Sequence, residues 1–182
     1  MKIAFIGLGV IGFPVAGHLA SANFQVCVFN RTQSKAEQWL QSYPGEKADT
    51  PKQAAIDADL VFTCVGNDDD LRQVVLGEHG IIHGMKKGSV LIDHTTASAN
   101  VAKEIAAALA NVEAGFIDAP VSGGQAGAEN GQLTVMCGAE EAVFERVQSV
   151  IQRYAKQVSL MGSVGSGQMT KMVNQICIAG LI

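Results

Sequence analysis

Three observations predict an α/β fold with a doubly wound, mainly parallel sheet. Short apolar runs alternate with helix-length amphipathic stretches, the apolar residues are mostly Ala, Val, Ile and Leu, and a glycine-rich turn follows the first run directly. Hydrophobic residues make up 48% of the 182, aromatics only 5%, and there are 20 glycines. That balance suits strands buried on both faces by crossover helices. The length accommodates one compact domain of this kind and is too short for two.

Strands are predicted at Ile3–Ile6, Gln25–Phe29, Leu60–Cys64, Val90–Ile92, Phe116–Asp118, Leu133–Met136 and Val158–Met161, each a short apolar run bounded by turn residues. Between them, Ile11–Ser21, Gln33–Tyr43, Asp69–Leu76, Ala97–Ala110 and Glu140–Tyr154 carry apolar residues near the 3.6-residue period, which lays helices against the sheet. From Gln168 onward Met169, Met172, Val173, Ile176, Cys177, Ile178, Leu181 and Ile182 make a helix that is apolar on nearly every face. Such a helix needs partners on all sides. The expected division is therefore a domain over 1–164 and the beginning of an interdomain helix over 165–182, with the next domain, or a partner subunit, absent from this chain. Self-association through Met169–Ile182 is expected in its absence.

The charge balance excludes several classes. With 13 Lys and Arg against 17 Asp and Glu, the net charge is −4 and no stretch concentrates the cations, so a nucleic-acid footprint is missing. Cys27, Cys64, Cys137 and Cys177 lie far apart without a C-x-x-C pair, which suggests neither a zinc site nor a disulfide framework. No apolar run reaches the ~18–20 residues of a membrane helix, and no signal-peptide pattern precedes the first strand. A cytoplasmic protein with no membrane or nucleic-acid partner is expected.

The first chemical motif is Gly7-Leu8-Gly9-Val10-Ile11-Gly12, between a strand and a helix. In that setting G-x-G-x-x-G signals dinucleotide binding: Gly7 permits the tight turn, Gly9 lets a pyrophosphate approach the backbone, and Gly12 lets helix and strand pack closely. The helix N-terminus adds free N–H groups and partial positive charge. A Rossmann-type domain follows.

The second strand ends at Asn30-Arg31-Thr32, about 20 residues past the glycines, where an NAD-binding site usually carries an acid for the ribose 2′-hydroxyl. No carboxylate stands there. Asn30 removes a charge that would repel a 2′-phosphate, Arg31 can bind one, and Thr32 adds a hydroxyl. NADP is the preferred cofactor on this reading, with NAD possible.

Two further motifs are Asp118-Ala119-Pro120-Val121-Ser122-Gly123-Gly124, and Gly162 through Gly167 followed by Lys171 and Asn174. In this order the three motifs make the chain resemble the β-hydroxyacid dehydrogenases, which include 3-hydroxyisobutyrate dehydrogenase and tartronate semialdehyde reductase. The resemblance runs over the whole chain. It implies a substrate carboxylate held at Ser122, Gly123 and Gly124, a catalytic Lys171 and an orienting Asn174. It also implies hydride transfer between the nicotinamide and a small 3-hydroxy acid or its semialdehyde, and a homo-oligomer. The residues agree: Ser122-Gly123-Gly124 precedes a helix-like Gln125–Ala128, where backbone N–H groups can converge on an anion. Lys171 and Asn174 are three apart, hence on one helix face. The helix dipole and a dry pocket would lower the Lys171 pKa towards working pH.

By the same resemblance, Val65, Gly66 and Asn67 contact the cofactor, although the family has a Leu-Pro pair where this chain has Val65-Gly66, and Thr96 approaches the nicotinamide. Both segments leave the C-terminal ends of strands, where ligands bind in open sheets. The four histidines read as packed or exposed, and Asp68-Asp69-Asp70 as a helix start. Two enzyme classes with related motifs fit less well. A 6-phosphogluconate dehydrogenase places His and Asn together after the lysine, and imine reductases replace that lysine. A non-catalytic NADP-binding or assembly module would have lost Lys171.

Overall fold

The computed structural model describes residues 1–180. In chain order the elements are β1 (Lys2–Ile6), α1 (Gly12–Ser21), β2 (Gln25–Phe29), α2 (Gln33–Ser42), β3 (Glu46–Lys47), α3 (Pro51–Ala55), β4 (Leu60–Thr63), α4 (Asp68–Leu76), a 3-10 turn at Ile81–His83, β5 (Val90–Asp93), α5 (Ala99–Ala110), β6 (Gly115–Asp118), β7 (Val121–Ser122), α6 (Gly124–Glu129), β8 (Leu133–Gly138), α7 (Glu141–Ile151), β9 (Ala155–Gly162) and α8 (Ser166–Gly180). All seven predicted strands are present. Periodicity missed β3 and β7, which are two residues each, and α3, a five-residue helix; the last is signalled only by its cap, Thr50 accepting from the Gln53 N–H with Pro51 in the first turn. Leu181 and Ile182, assigned above to the last helix, lie outside the described residues.

The sheet order is β3-β2-β1-β4-β5-β6-β8-β7, with β9 added on β8. β1 pairs in parallel with both β2 and β4, so the strand order reverses there and opens a crevice at the carboxyl ends. The antiparallel contacts involve β8, with β6 and with β7. The pleat divides the core in two. On one face Ile3, Phe5, Val28, Phe62 and Ile92 pack beneath α1, α2 and α7 through Val15, Trp39 and Val147. On the other, Ala4, Ile6, Val61 and Leu91 pack beneath α4 and α5 through Leu71, Val75, Val101 and Ile105. Both faces are apolar, as the composition required.

Polar groups appear where the strands end. Thr63 pairs in register with Asp93, and Asp93 with Asp118, and all three are buried. Next to them His94 donates from Nδ1 to the Ala119 carbonyl at 2.6 Å and accepts at Nε2 from the Tyr154 hydroxyl at 2.7 Å. Burial pushes its pKa down to about 4, so the ring is neutral and both nitrogens are used. His94 is thus packed and structural, in agreement with the sequence reading.

Among the described residues no helix is long and apolar enough to cross a membrane, and no group of three or more His, Cys, Asp or Glu side chains is arranged to hold a metal ion.

Removing the Tyr154 hydroxyl leaves a buried imidazole nitrogen unpaired, so Tyr154→Phe should cost about 1–3 kcal/mol. Urea unfolding followed by circular dichroism checks this; an unchanged midpoint would show that the bond contributes nothing.

Candidate functional site

The crevice between the ends of β1, β2 and β4 is an open cleft of about 720 Å³. Its floor is the glycine turn. Gly7 has φ +99°, and a Cβ there would lie 2.2 Å from the Cys64 carbonyl oxygen. A Cβ on Gly12 would lie 2.0 Å from the Gly7 oxygen and 2.9 Å from the Phe5 ring. Gly9 is different: a Cβ there meets nothing within 4 Å, so its glycine leaves open space on the cleft side. Among the described residues the N–H groups of Gly9, Val10 and Ile11 have no protein acceptor. Unpaired donors around open space at the start of α1 fit a pyrophosphate. The two outer glycines are needed by the fold, and the middle one leaves open space at the cleft.

At the end of β2 the structure refines the sequence reading. Asn30 accepts the Leu8 N–H at Oδ1, 2.9 Å, and donates from Nδ2 to the Thr32 carbonyl. Its amide therefore fastens the glycine turn to β2. Arg31, Thr32 and also Lys35 line the cleft. Across the cleft from α4 comes Asp70, whose Oδ1 lies 3.2 Å from the Arg31 guanidinium.

The loops after β4 and β5 are bound by a buried network. The Asp93 Oδ1 accepts from the Thr63 hydroxyl and the Thr95 N–H, and the Thr95 hydroxyl accepts the Val65 N–H at 3.1 Å. Burial drives the Asp93 carboxyl up to about 7. Thr95 is thus committed to holding the two loops, whereas Thr96 is exposed. Val65 and Gly66 line the cleft, and Asn67 does not: its Oδ1 caps α4 through the Asp70 N–H.

The last part is α8. Asp118, at the end of β6, accepts the Gly165 N–H at 2.7 Å and the Gln168 N–H at 2.9 Å, so a carboxylate caps the helix where its dipole is positive. Burial pushes this carboxyl up to about 6 against those bonds. Gln168 accepts the Ala97 N–H and donates to the Thr95 carbonyl, gripping the chain on either side of Thr96. One turn on, Lys171 is 8% exposed. Burial holds its ammonium below the ordinary lysine range. Lys171 stands in the second turn, beyond the reach of the dipole, so desolvation is the cause. Asn174 continues the same face, with a buried Nδ2 that has no partner among the described residues, while Met172 and Val173 are exposed.

Ser122 ends β7, the two-residue strand that follows the Asp118 end of β6. It does not cap α6, whose N-cap is Gly123 with no side-chain bond. Gly123 and Gly124 have φ +128° and +60°, and a Cβ on Gly124 meets nothing within 4 Å. Ser122–Gly124 follow β6 and Thr96 follows β5, while Lys171 sits on α8 one turn past Gln168, and none of them is among the residues lining the cleft of Gly7–Gly12. Sequence reading missed Lys35, Asp70, Asp118 and Gln168 as site residues. Only Asp118 carried a signal, as the polar end of a buried strand.

A crevice at the reversal of a parallel sheet, floored by an open glycine turn, defines a dinucleotide-binding domain. Residues 2–162 match the NAD binding domain of 6-phosphogluconate dehydrogenase, and the chain belongs to that family. It is 65% identical over 181 residues to an uncharacterized oxidoreductase of Shewanella frigidimarina, covering 100% of this chain and 62% of the relative. It is 36% identical over 179 residues to 2-hydroxy-3-oxopropionate reductase of Escherichia coli, covering 98% of this chain and 61% of that protein. The structure of Mycobacterium tuberculosis 3-hydroxyisobutyrate dehydrogenase with L-serine superposes with a TM-score of 0.93 at 28% identity, over 98% of this chain and 60% of that one. The chain therefore spans about three-fifths of the length of the relatives it matches.

Gly12→Ala drives a methyl into backbone and should cost about 3 kcal/mol or more, whereas Gly9→Ala should unfold with the parent's midpoint to within about 0.5 kcal/mol. Urea titrations of the two variants separate the fold-bearing glycine from the ligand-facing one; equal losses would contradict that division.

Proposed function

We propose that this chain is the cofactor-binding part of an NADP-preferring dehydrogenase or semialdehyde reductase acting on a small 3-hydroxy acid, with Lys171 exchanging a proton with the substrate oxygen. The observation that carries the reading is the burial of Lys171 on α8, the helix whose start is fixed to the ends of β5 and β6. It lies one turn from Gln168, whose side chain clasps the loop of Thr96. A lysine seldom gives up water without a partner, and one whose pKa is lowered by burial can serve as acid or base nearer neutral pH.

The parts then divide the work. The Gly9–Ile11 N–H groups bind the pyrophosphate, and Val65, Gly66 and Thr96 flank the nicotinamide. When bound, the cofactor supplies the hydride acceptor or donor. Ser122, Gly123 and Gly124 receive the substrate carboxylate, Asn174 uses its free Nδ2–H to orient the substrate, and Lys171 holds or takes up the hydroxyl proton at Nζ. Asp118 and Gln168 act through Lys171 by fixing the helix that carries it.

NADP preference is supported by Arg31 and Lys35 lining the cleft, and by the lack of a carboxylate at the end of β2. Arg31 can still leave NAD bound, so dual use is compatible. We assign the other wall of the substrate pocket to the additional length that the relatives possess, as a helical domain entered through α8. The exposed Met169, Met172, Val173 and Ile176 are the surface it would cover, in a homo-oligomeric enzyme. This chain alone should then be weakly active or inactive. Four unpaired thiols fit the reducing cytoplasm.

Calorimetric titration should give tighter binding of NADPH than NADH, with Arg31→Ala weakening NADPH by about 10-fold or more; equal affinities untouched by the variant would overturn the preference. In a chimera continuing this chain with the remaining length of the Shewanella frigidimarina relative, Lys171→Met should lower kcat by about 10²–10⁴ while cofactor affinity holds. Retained turnover would remove Lys171 from the reaction.

A further inference from the structure

We propose that Asp70 is a specificity-determining residue of the cofactor cleft, which holds the Arg31 guanidinium and so moderates the preference for a 2′-phosphate. The inference rests on the NADP reading above and goes beyond it by naming the group that limits it.

The run Asp68-Asp69-Asp70 begins α4, where acids are stabilised by the helix dipole, but its three carboxylates have different destinations. Asp68 accepts from the Ser98 N–H and hydroxyl, and Asp69 pairs along the helix with Arg72. Asp70 alone of the three lines the cleft. Its Oδ1 bonds the Arg31 guanidinium at 3.2 Å, joining the end of β2 to the first turn of α4 across the cleft. Arg31 is otherwise free, its side chain being 87% exposed.

Gly66 explains why Asp70 turns inward. A Cβ at Gly66 would lie 2.6 Å from the Asp70 Oδ2, so the carboxylate occupies space that a side chain at position 66 would take. The ion pair and the glycine form one device.

The device acts on the two cofactors unequally. Asp70 uses one of the Arg31 N–H donors and fixes the direction of the guanidinium, so a 2′-phosphate competes with it for that orientation, and it brings a negative charge within a Debye length, roughly 8–10 Å, of that carboxylate. A ribose 2′-hydroxyl brings no charge and can itself donate to a carboxylate. Lys35 opposes Asp70 on the phosphate side, and Glu78 adds a second acid to the lining. The cleft therefore carries a cationic reader with an anionic restraint attached.

Calorimetric titration with NADPH and NADH on four variants tests this. Asp70→Asn keeps the size and helix position, and should tighten NADPH about three- to five-fold, the scale of an exposed pair, while NADH stays within about two-fold. Gly66→Ala leaves an ordinary backbone conformation and displaces the Asp70 carboxylate, so the NADPH-to-NADH affinity ratio should shift the same way even if both affinities fall. In the Arg31→Ala background, Asp70→Asn should leave the ratio unchanged, because the restraint acts through Arg31. An Asp70→Asn ratio equal to the parent's, with NADPH binding still weakened by Arg31→Ala, overturns the restraint and keeps the NADP reading. No effect of Arg31→Ala on NADPH overturns both.

Discussion

A parallel sheet covered by helices on both faces leaves few places for polar side chains, because desolvating them inside the layers is costly without partners. In this chain the faces of β1, β4 and β5 are filled by aliphatic and phenyl groups, and the polar residues collect at the carboxyl ends. Thr63, Asp93 and Asp118 form one row there across three neighbouring strands. From that constraint the rest follows. The row cannot reach water, so it consumes the backbone N–H groups and hydroxyls of the loops leaving the strands, and those loops become fixed. The Thr95–Thr96 turn and the start of α8 are held by carboxylates whose own burial demanded partners, and the loop after β4 is held in turn by Thr95.

The attachment of α8 shows how this converts burial into placement. A helix of 15 residues that exposes Met172, Val173 and Ile176 has little apolar surface with which to dock by hydrophobic burial alone. Polar grips replace it: Asp118 at the cap and Gln168 on the Thr95–Ala97 chain. Gly167 also makes the docking possible, since a Cβ there would lie 2.4 Å from the Met136 oxygen. The result is a short buried stretch, Gly167, Gln168 and Lys171, on an otherwise exposed helix. Lys171 loses its hydration because its neighbours in the helix are tied down, and its pKa falls for that reason.

The cleft has the opposite character. Its floor is rigid, since Gly7 and Gly12 leave no room for adjustment, but its rim is made of long exposed side chains. Arg31, Lys35 and Asp70 reach over the opening from three elements. In the function proposed above, recognition of the common dinucleotide core falls to the backbone, and discrimination at the ribose to groups that can move. An arginine held by a carboxylate is neither lost to solvent nor already committed to a ligand. Exposed pairs of this sort carry small energies, which is enough to tilt a preference and too little to make it absolute.

The sequence by itself determined the strands and the glycine turn, because these depend on local periodicity and on glycine's freedom, both visible residue by residue. It also marked Arg31 by its place at the end of β2, and Ser122–Gly124, Lys171 and Asn174 through motifs that resemble those of the β-hydroxyacid dehydrogenases. The two-residue strands at Glu46–Lys47 and Val121–Ser122 were not legible, having no period to show. Tertiary structure alone decided which polar groups are free and which are spent. Asn30 lines the cleft and also accepts the Leu8 N–H, and Asn67 caps α4 through the Asp70 N–H; Thr95 is a brace, where its neighbour Thr96 is open. Asp70, Asp118 and Gln168 acquire their parts through partners 39, 47 and 73 positions away in the chain. Hydrogen bonds and ion pairs have no sequence period, so their partners become known only when the chain has folded.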